Sequence, residues 1–345
     1  MSIDLVPLWA AILALAVFMY VLLDGFDLGV GMLFALRRAP EDRDTMVATV
    51  APVWDFNETW LILGGGGLMA MFPLAFAILI PAVYFPILLM LLGLLFRGVA
   101  FEFREVSTRR RIWDNGFWLG SLLATFAQGT VLGTYVEGLP VRDRAFAGTS
   151  WDWIGGFPLL TGLGLVAGYS LLGATWLVMK TEGELQRWAR GVARAALLGM
   201  LAFIVMVSVW TPWSQPAIAE RWFSWPNLAW LAPVPVLTAS LSLLAWRALV
   251  AGDRAAADAP TRRGLDVAPF ACAMGLFTLS FAGLAISLWP NVVPPSVTLW
   301  DAAAPVRSQT FLVVGTMFLL PVILGYVFWS YWVFRGKVRA GGYHA

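Results

Sequence analysis

Apolar runs of roughly 20 residues recur along the whole chain, each long enough to cross a bilayer core of about 30 Å as a helix. Of 345 residues, 60% are hydrophobic and 13% are charged. Soluble domains carry about 25% charged residues, so an ordinary globular fold is excluded. Disorder is excluded too, because it needs low hydrophobicity and high net charge. The pattern predicts an all-α polytopic membrane protein, a single integral membrane domain over residues 1–345.

Long apolar stretches bounded by charges or by Pro/Gly clusters place nine transmembrane helices. They cover residues 8–36, 53–72, 75–101, 116–138, 157–180, 192–212, 226–249, 267–289 and 308–334. Two four-helix bundles plus one peripheral helix would accommodate them, although no internal sequence repeat is evident. The segment Met1 to Pro7 carries Asp4 and no Lys or Arg. A secretory signal needs a positive start, so the first span is expected to be retained.

Orientation follows from the loops. Arg37, Arg38, Arg43, Arg104, Arg109 to Arg111, Lys180, Arg187, Arg190, Arg194, Arg247, Arg254, Arg262, Arg263, Arg335, Lys337 and Arg339 fall on one side. They make up 18 of the 23 basic residues. The other side has Arg142, Arg144, Arg221 and Arg307. The positive-inside bias therefore puts the N-terminus outside and the C-terminus in the cytoplasm. Tryptophan pairs at span ends, such as Trp113 with Trp118 and Trp329 with Trp332, suit the headgroup layer and need no chemical role.

The net charge of +2 gives no basic arm for nucleic acid. One cysteine, Cys272, permits no intrachain disulfide. The single histidine, His344, is next to the C-terminal residue, so no span offers the axial His of a b-type haem. Methionines such as Met19, Met69, Met90 and Met206 suit packing. HExxH, Cys/His metal sets and Ser/His/Asp arrangements are all absent from the sequence. If electrons move here, another polypeptide must hold the metal.

Six ionisable residues lie in or near the first three spans: Asp24, Asp27, Asp55, Glu58, Arg97 and Glu102. The later spans carry none in their interiors. A charge at bilayer depth costs at least about 2.5 kcal/mol, so such residues mark a cavity, a partner or a proton path. Asp27 and Asp24 precede Arg37 by ten and thirteen residues, which puts them about 15 and 20 Å from the cytoplasmic end. Asp24 with Asp27, and Asp55 with Glu58, are i,i+3 pairs that share a helix face. Arg97 is expected to pair with one carboxylate, with Glu102 near the mouth. One arginine cannot balance the set, so at least one other carboxyl group is expected to carry a proton. A static network that fixes helix packing is the alternative. Gly25, Gly29 and Gly31, and Gly64 to Gly67, read as close-packing positions. A phosphate loop is excluded, since no Gly-Lys-Ser/Thr follows. Asn57-Glu58-Thr59 fits a glycosylation sequon by chance at this depth.

Several stretches together resemble a known family, subunit II of cytochrome bd-type quinol oxidases, most closely its cyanide-insensitive branch. They are Asp24-Gly-Phe-Asp27-Leu-Gly-Val-Gly31, Ala51-Pro-Val-Trp-Asp-Phe-Asn-Glu-Thr-Trp60 and Gly64 to Gly67. Phe96-Arg97-Gly-Val-Ala-Phe-Glu-Phe-Arg104, Gly173-Ala-Thr-Trp-Leu-Val-Met-Lys-Thr-Glu-Gly183 and Phe334-Arg-Gly-Lys337 continue the match. Phe56 departs from it, because the family pattern has Gly there, and a bulky residue could narrow a route past Asp55.

The resemblance implies a multi-pass protein of the bacterial inner membrane in a heterodimer. The partner, subunit I, would hold two haem b and one haem d, and this chain would ligate no cofactor. The enzyme would oxidise quinol and reduce dioxygen to water with cytoplasmic protons. Asp55 would belong to the proton pathway, with Glu58, Asp24 and Asp27 as further members, Arg97 and Glu102 as charge partners and Trp54 as a motif neighbour. A small single-span accessory subunit and a structural quinone or lipid also fit the resemblance. The competing class is a proton- or sodium-coupled secondary transporter using the same carboxylates. The confinement of the acidic set to one end of the sequence counts against it.

Overall fold

The computed structural model describes residues 4–255 and 262–338. The expectations placed on Met1, Arg339 and His344 fall outside that range, as does the side chain of Arg262. The chain is helical nearly throughout. It begins with α1 (Val6–Leu33), a 3-10 turn (Phe34–Leu36), α2 (Pro40–Val50), α3 (Trp54–Met71), α4 (Pro73–Ala82), α5 (Tyr84–Val106) and α6 (Arg110–Glu137). A hairpin of β1 (Val141–Arg142) and β2 (Ala145–Phe146) leads to α7 (Gly156–Lys180), α8 (Gly183–Ser214), α9 (Pro216–Phe223), α10 (Asn227–Leu231), α11 (Pro233–Arg254) and α12 (Arg262–Leu288). A second hairpin, β3 (Asn291–Val293) and β4 (Val297–Thr298), precedes α13 (Leu299–Ala302) and α14 (Val306–Val333).

Seven helical segments among the described residues are long and apolar enough to cross a membrane: α1, α5, α7, α8, α10 with α11, α12 and α14. Two of the nine expected spans, 53–72 and 116–138, correspond to α3 and α6, which lie outside that set. Asp55, Asn57, Glu58 and the glycine run dilute α3, while Asp114, Asn115, Gln128 and Glu137 dilute α6. The expected span 75–101 is not one helix. Pro73 opens α4 and Pro81 sits in its last turn, and Val83 leaves helical geometry before α5 starts. Proline lacks the N–H that a continuous ladder needs. Two other helices start earlier than expected, and this moves charges into them. α8 includes Arg190, α12 includes Asp266, and the two side chains pair at 2.5 Å, both buried. The later spans are therefore not free of buried charge near the ends that carry Arg190 and Asp266.

Helix α1 packs against α3, α6 and α7, while α7 also packs against α6, α8 and α12. The approach of α1 to α7 depends on Gly29 and Gly173, since a Cβ on either would overlap the backbone of the opposite helix. Of the glycine run in α3, Gly64 and Gly67 face α1, and Gly65 and Gly66 face open space. The main core includes Phe26, Leu28, Phe34, Met46, Trp60, Trp176 and Leu177. A second core at the N-terminal end of α1 gathers Val6, Trp9, Met71, Phe72, Ile78, Val293 and Leu299. There the last carbonyl of α3, on Met71, accepts from the Ala304 amide at 2.8 Å. Helix α14 is largely exposed; its buried residues are Gln309, Val327 and Ser330.

Candidate functional site: buried charges beside a lateral groove

The carboxylates singled out by sequence gather where α1, α3 and α5 meet, and they divide into three environments. Arg97, fully buried on α5, donates from Nη1 to Asp24 Oδ1 at 2.5 Å and from Nη2 to Glu58 Oε2 at 2.7 Å. Asp24 is also fully buried, whereas the Glu58 side chain keeps 27% of its surface exposed. The pair therefore reaches from a dry interior to an accessible edge. Isolated ions in such an interior are costly, and only close pairing with further hydrogen bonds offsets that cost.

Local sequence explains the placement. Trp54 opens α3 and its ring stacks on Phe101 at 4.9 Å. Its face lies 5.7 Å from the Arg97 guanidinium carbon. Gly98 lies under the same ring, where even a Cβ would sit only 3.4 Å from it. The tryptophan thus covers the arginine from the side of the first turn of α3.

The second environment is the edge. Asp55, Glu58 and Glu102 line an open groove between α3 and α5, with Trp54, Ile62, Leu95 and Phe103. Its volume is about 410 Å³. Asp55 and Glu102 are exposed there. The i,i+3 expectation that Asp55 and Glu58 share a face holds in this groove. Glu102 makes no ion pair among the described residues, whereas Arg97, the other expected charge partner, pairs with Asp24 and Glu58. Phe56 does not enter the groove. It packs edge-on against Tyr326 and Tyr331 of α14, at 5.8 and 5.7 Å, and leaves the surface beside Asp55 open.

Asp27 forms the third environment, with partners different from those of Asp24. Its Oδ2 accepts from Asn57 Nδ2 at 2.7 Å, and the Tyr331 hydroxyl donates to Asn57 Oδ1 at 2.8 Å. Asn57 is fully buried. Sequence reading missed Asn57 and Tyr331; the available signal was that Asn57 lies between two acidic motif residues on an otherwise apolar helix. Also missed was a neutral polar track one turn from Asp24. Gln128 donates to the Tyr20 hydroxyl at 2.6 Å and accepts from Tyr169 at 3.1 Å.

The described residues contain no histidine and no grouping of three or more His, Cys, Asp or Glu that would hold a metal. The residues present do not fit a haem. The arrangement links a fully buried ion pair to an accessible groove lined by carboxylates.

A family model described as cytochrome bd terminal oxidase subunit II matches residues 5–334. Cytochrome bd-I ubiquinol oxidase subunit 2 of Escherichia coli strain K12 is 29% identical, covering 96% of this chain and 94% of its own. Cytochrome bd ubiquinol oxidase subunit 2 of Bacillus subtilis strain 168 is 28% identical, covering 96% of each. The solved bd oxidase of Geobacillus thermodenitrificans superposes with a TM-score of 0.74 at 17% identity, over 94% of this chain and 97% of that one. At that identity the shared property is the fold. With the family established, the transporter reading falls away: this multi-pass membrane chain belongs to the cytochrome bd terminal oxidase subunit II family and is part of a quinol oxidase complex.

Proposed function

We propose that this chain is the haem-free half of a quinol:dioxygen oxidoreductase and that it delivers cytoplasmic protons to a haem site owned by its partner. The observation that carries the reading is the Arg97 bridge. It ties fully buried Asp24 to accessible Glu58, and Glu58 shares a groove with Asp55 and Glu102. In the family reading, subunit I holds two haem b and haem d and takes electrons from quinol; dioxygen is reduced to water there. This chain's own residues carry no electrons. They hold and pass protons.

The groove supports a location for the partner. Carboxylates such as Asp55 and Glu102 are expelled from lipid-facing positions, yet Ile62, Leu95, Phe96 and Phe103 around them are exposed and apolar. A protein partner laid over α3 and α5 satisfies both kinds of residue, and the exposed face of α14 fits the same cover. Helices α3 and α6 would then complete a set of nine spans. At 1.5 Å per residue the 28-residue α6 is about 42 Å long. The N-terminus would lie outside and the basic loops in the cytoplasm, where protons enter. Helices α1, α3, α5 and α6 form one bundle in this reading, α7, α8, α11 and α12 the other, and α14 lies at the periphery.

The test is Asp55→Asn in the assembled complex. Quinol-driven oxygen consumption should fall about tenfold or more while the reduced-minus-oxidised haem spectrum and subunit ratio stay as in the parent. Full turnover in that variant would leave the carboxylates with a packing role only.

A further inference from the structure

We infer that Asp27 is the carboxyl group that holds a proton at rest, and that Tyr331 on the last helix is its positioning residue, acting through Asn57. This deepens the proposed proton-delivery function and rests on it only for the use made of the proton. The charge balance of the site requires some such group. Three carboxyl groups, Asp24, Asp27 and Glu58, surround one guanidinium. Arg97 spends its two terminal nitrogens on Asp24 and Glu58. No ion pair to Asp27 is present among the described residues.

What Asp27 has instead is neutral. Asn57 donates one amide hydrogen to Oδ2, and Oδ1 is buried without a hydrogen-bond partner. A full negative charge in that position would have one amide donor at Oδ2 and no donor at Oδ1, which is costly in a water-poor interior. A carboxylic acid has no net charge to desolvate there: its carbonyl oxygen Oδ2 takes the Asn57 donor, and its O–H on Oδ1 has no acceptor among the described residues. The charged groups that face Asp27 are Asp24 on α1, Glu58 on α3 and Arg97 on α5. Around the adjacent Phe26, α7, α12 and α14 contribute rings: Trp176 and Phe270 pack with Phe26, and Tyr331 meets Phe26 and Trp176 edge-on.

Tyr331 fixes which way Asn57 points. Its hydroxyl donates to Asn57 Oδ1, so the amide nitrogen is the end left for Asp27 and the Leu23 carbonyl. If the amide turned over, its oxygen would meet Asp27 and give the acid's O–H an acceptor; the orientation that Tyr331 fixes leaves that O–H without one and so free to give up its proton. The tyrosine therefore sets what the carboxyl group is offered, from a helix that otherwise contributes little to the interior.

The test uses the assembled complex and infrared difference spectroscopy with hydrogen–deuterium exchange. The parent should show a carbonyl-stretch band of a protonated carboxylic acid. The band should be absent in Asp27→Asn and displaced in Tyr331→Phe, and Tyr331→Phe should shift the pH profile of turnover. Asp27→Asn should also assemble with its haem content intact, because it replaces one neutral group by another, whereas Asp24→Asn should lose assembled complex several-fold. An unmoved band in Asp27→Asn overturns the assignment, and so does failure of Asp27→Asn to assemble. A band and pH profile unchanged in Tyr331→Phe remove the positioning role. These readings are separate from the fate of the proposed route: if Asp55→Asn turns over normally, the route fails while the band still reports on Asp27.

Discussion

Arg97 on α5 and Asp24 on α1 meet at 2.5 Å with neither side chain exposed, and the same guanidinium reaches Glu58 on α3. One arginine therefore joins three helices. Replacing it by Leu would leave Asp24 as an uncompensated buried charge, a loss of about 3–5 kcal/mol. We expect Arg97→Leu to lower the thermal midpoint of the purified complex and its yield together. An unchanged midpoint would mean that Asp24 has another partner in the complex.

The crossing of α1 and α7 depends on an absent side chain at two positions. Gly173→Ala would push a methyl group into the backbone at Gly29 and Val30. Overpacking of this kind costs typically 1–3 kcal/mol, roughly, and more where backbone must move. Gly65→Ala is the control, because nothing lies within 4 Å of its new carbon. Circular-dichroism melts of the two variants should separate them. If only Gly65→Ala fails to assemble with its partner, the partner's surface passes over that glycine.

Outside the membrane-spanning segments, Asp301 caps the short helix α13 in a reciprocal arrangement with Thr298. Its carboxyl group is held below the usual carboxylate range, first by the Thr298 side-chain hydrogen bond and then by the Thr298 backbone amide. A lowered folded value stabilises the fold above the unfolded carboxylate range, and the gain disappears as pH falls through the lowered value. Amide exchange at residues 298–302 should speed up on acidification below that range. Asp301→Asn should remove the acid dependence, leaving the helix equally frayed at neutral and low pH.

The buried pair Arg190–Asp266 also takes in the C-terminal segment, since Lys337 Nζ lies 2.7 Å from Asp266 Oδ2. Asp266→Asn should destabilise the complex by about 3–5 kcal/mol, as expected when one member of a buried pair is removed. Limited proteolysis should cut after Lys337 faster in that variant. An unaltered cutting rate would show that the hydrogen bonds to backbone carbonyls around it, from the Val338 amide to the Lys180 carbonyl, from Lys337 Nζ to the Thr181 carbonyl and from Lys180 Nζ to the Phe334 carbonyl, hold the segment without Asp266.

What sequence reveals here follows the energetics of charge in a membrane. Asp24, Asp27, Glu58 and Arg97 stood out because charged residues are rare in apolar spans, and the structure brings them within one cluster. Neutral polar groups leave no such mark. Tyr331 looks like an ordinary occupant of an apolar helix, and Asn57 is marked only by the acidic residues on either side of it, so the separation of Asp27 from Asp24 was not legible despite their shared helix face. Span limits were legible where composition changed sharply. They were not legible between residues 72 and 84, where prolines break a stretch that stays apolar throughout. The inward shift of Arg190 and Asp266 was missed because a basic loop and the first turns of a helix have the same composition.

The contact from Tyr331 to Asn57 joins the final helix to the third, 274 residues earlier in the chain. A ribosome makes α14 long after α3, so until α14 has been made Asn57 has no Tyr331 hydroxyl to orient it. Synthesis of α14 and the fixing of Asn57 are thus one event. A subunit cut short before α14, however well inserted, would leave Asn57 free to turn.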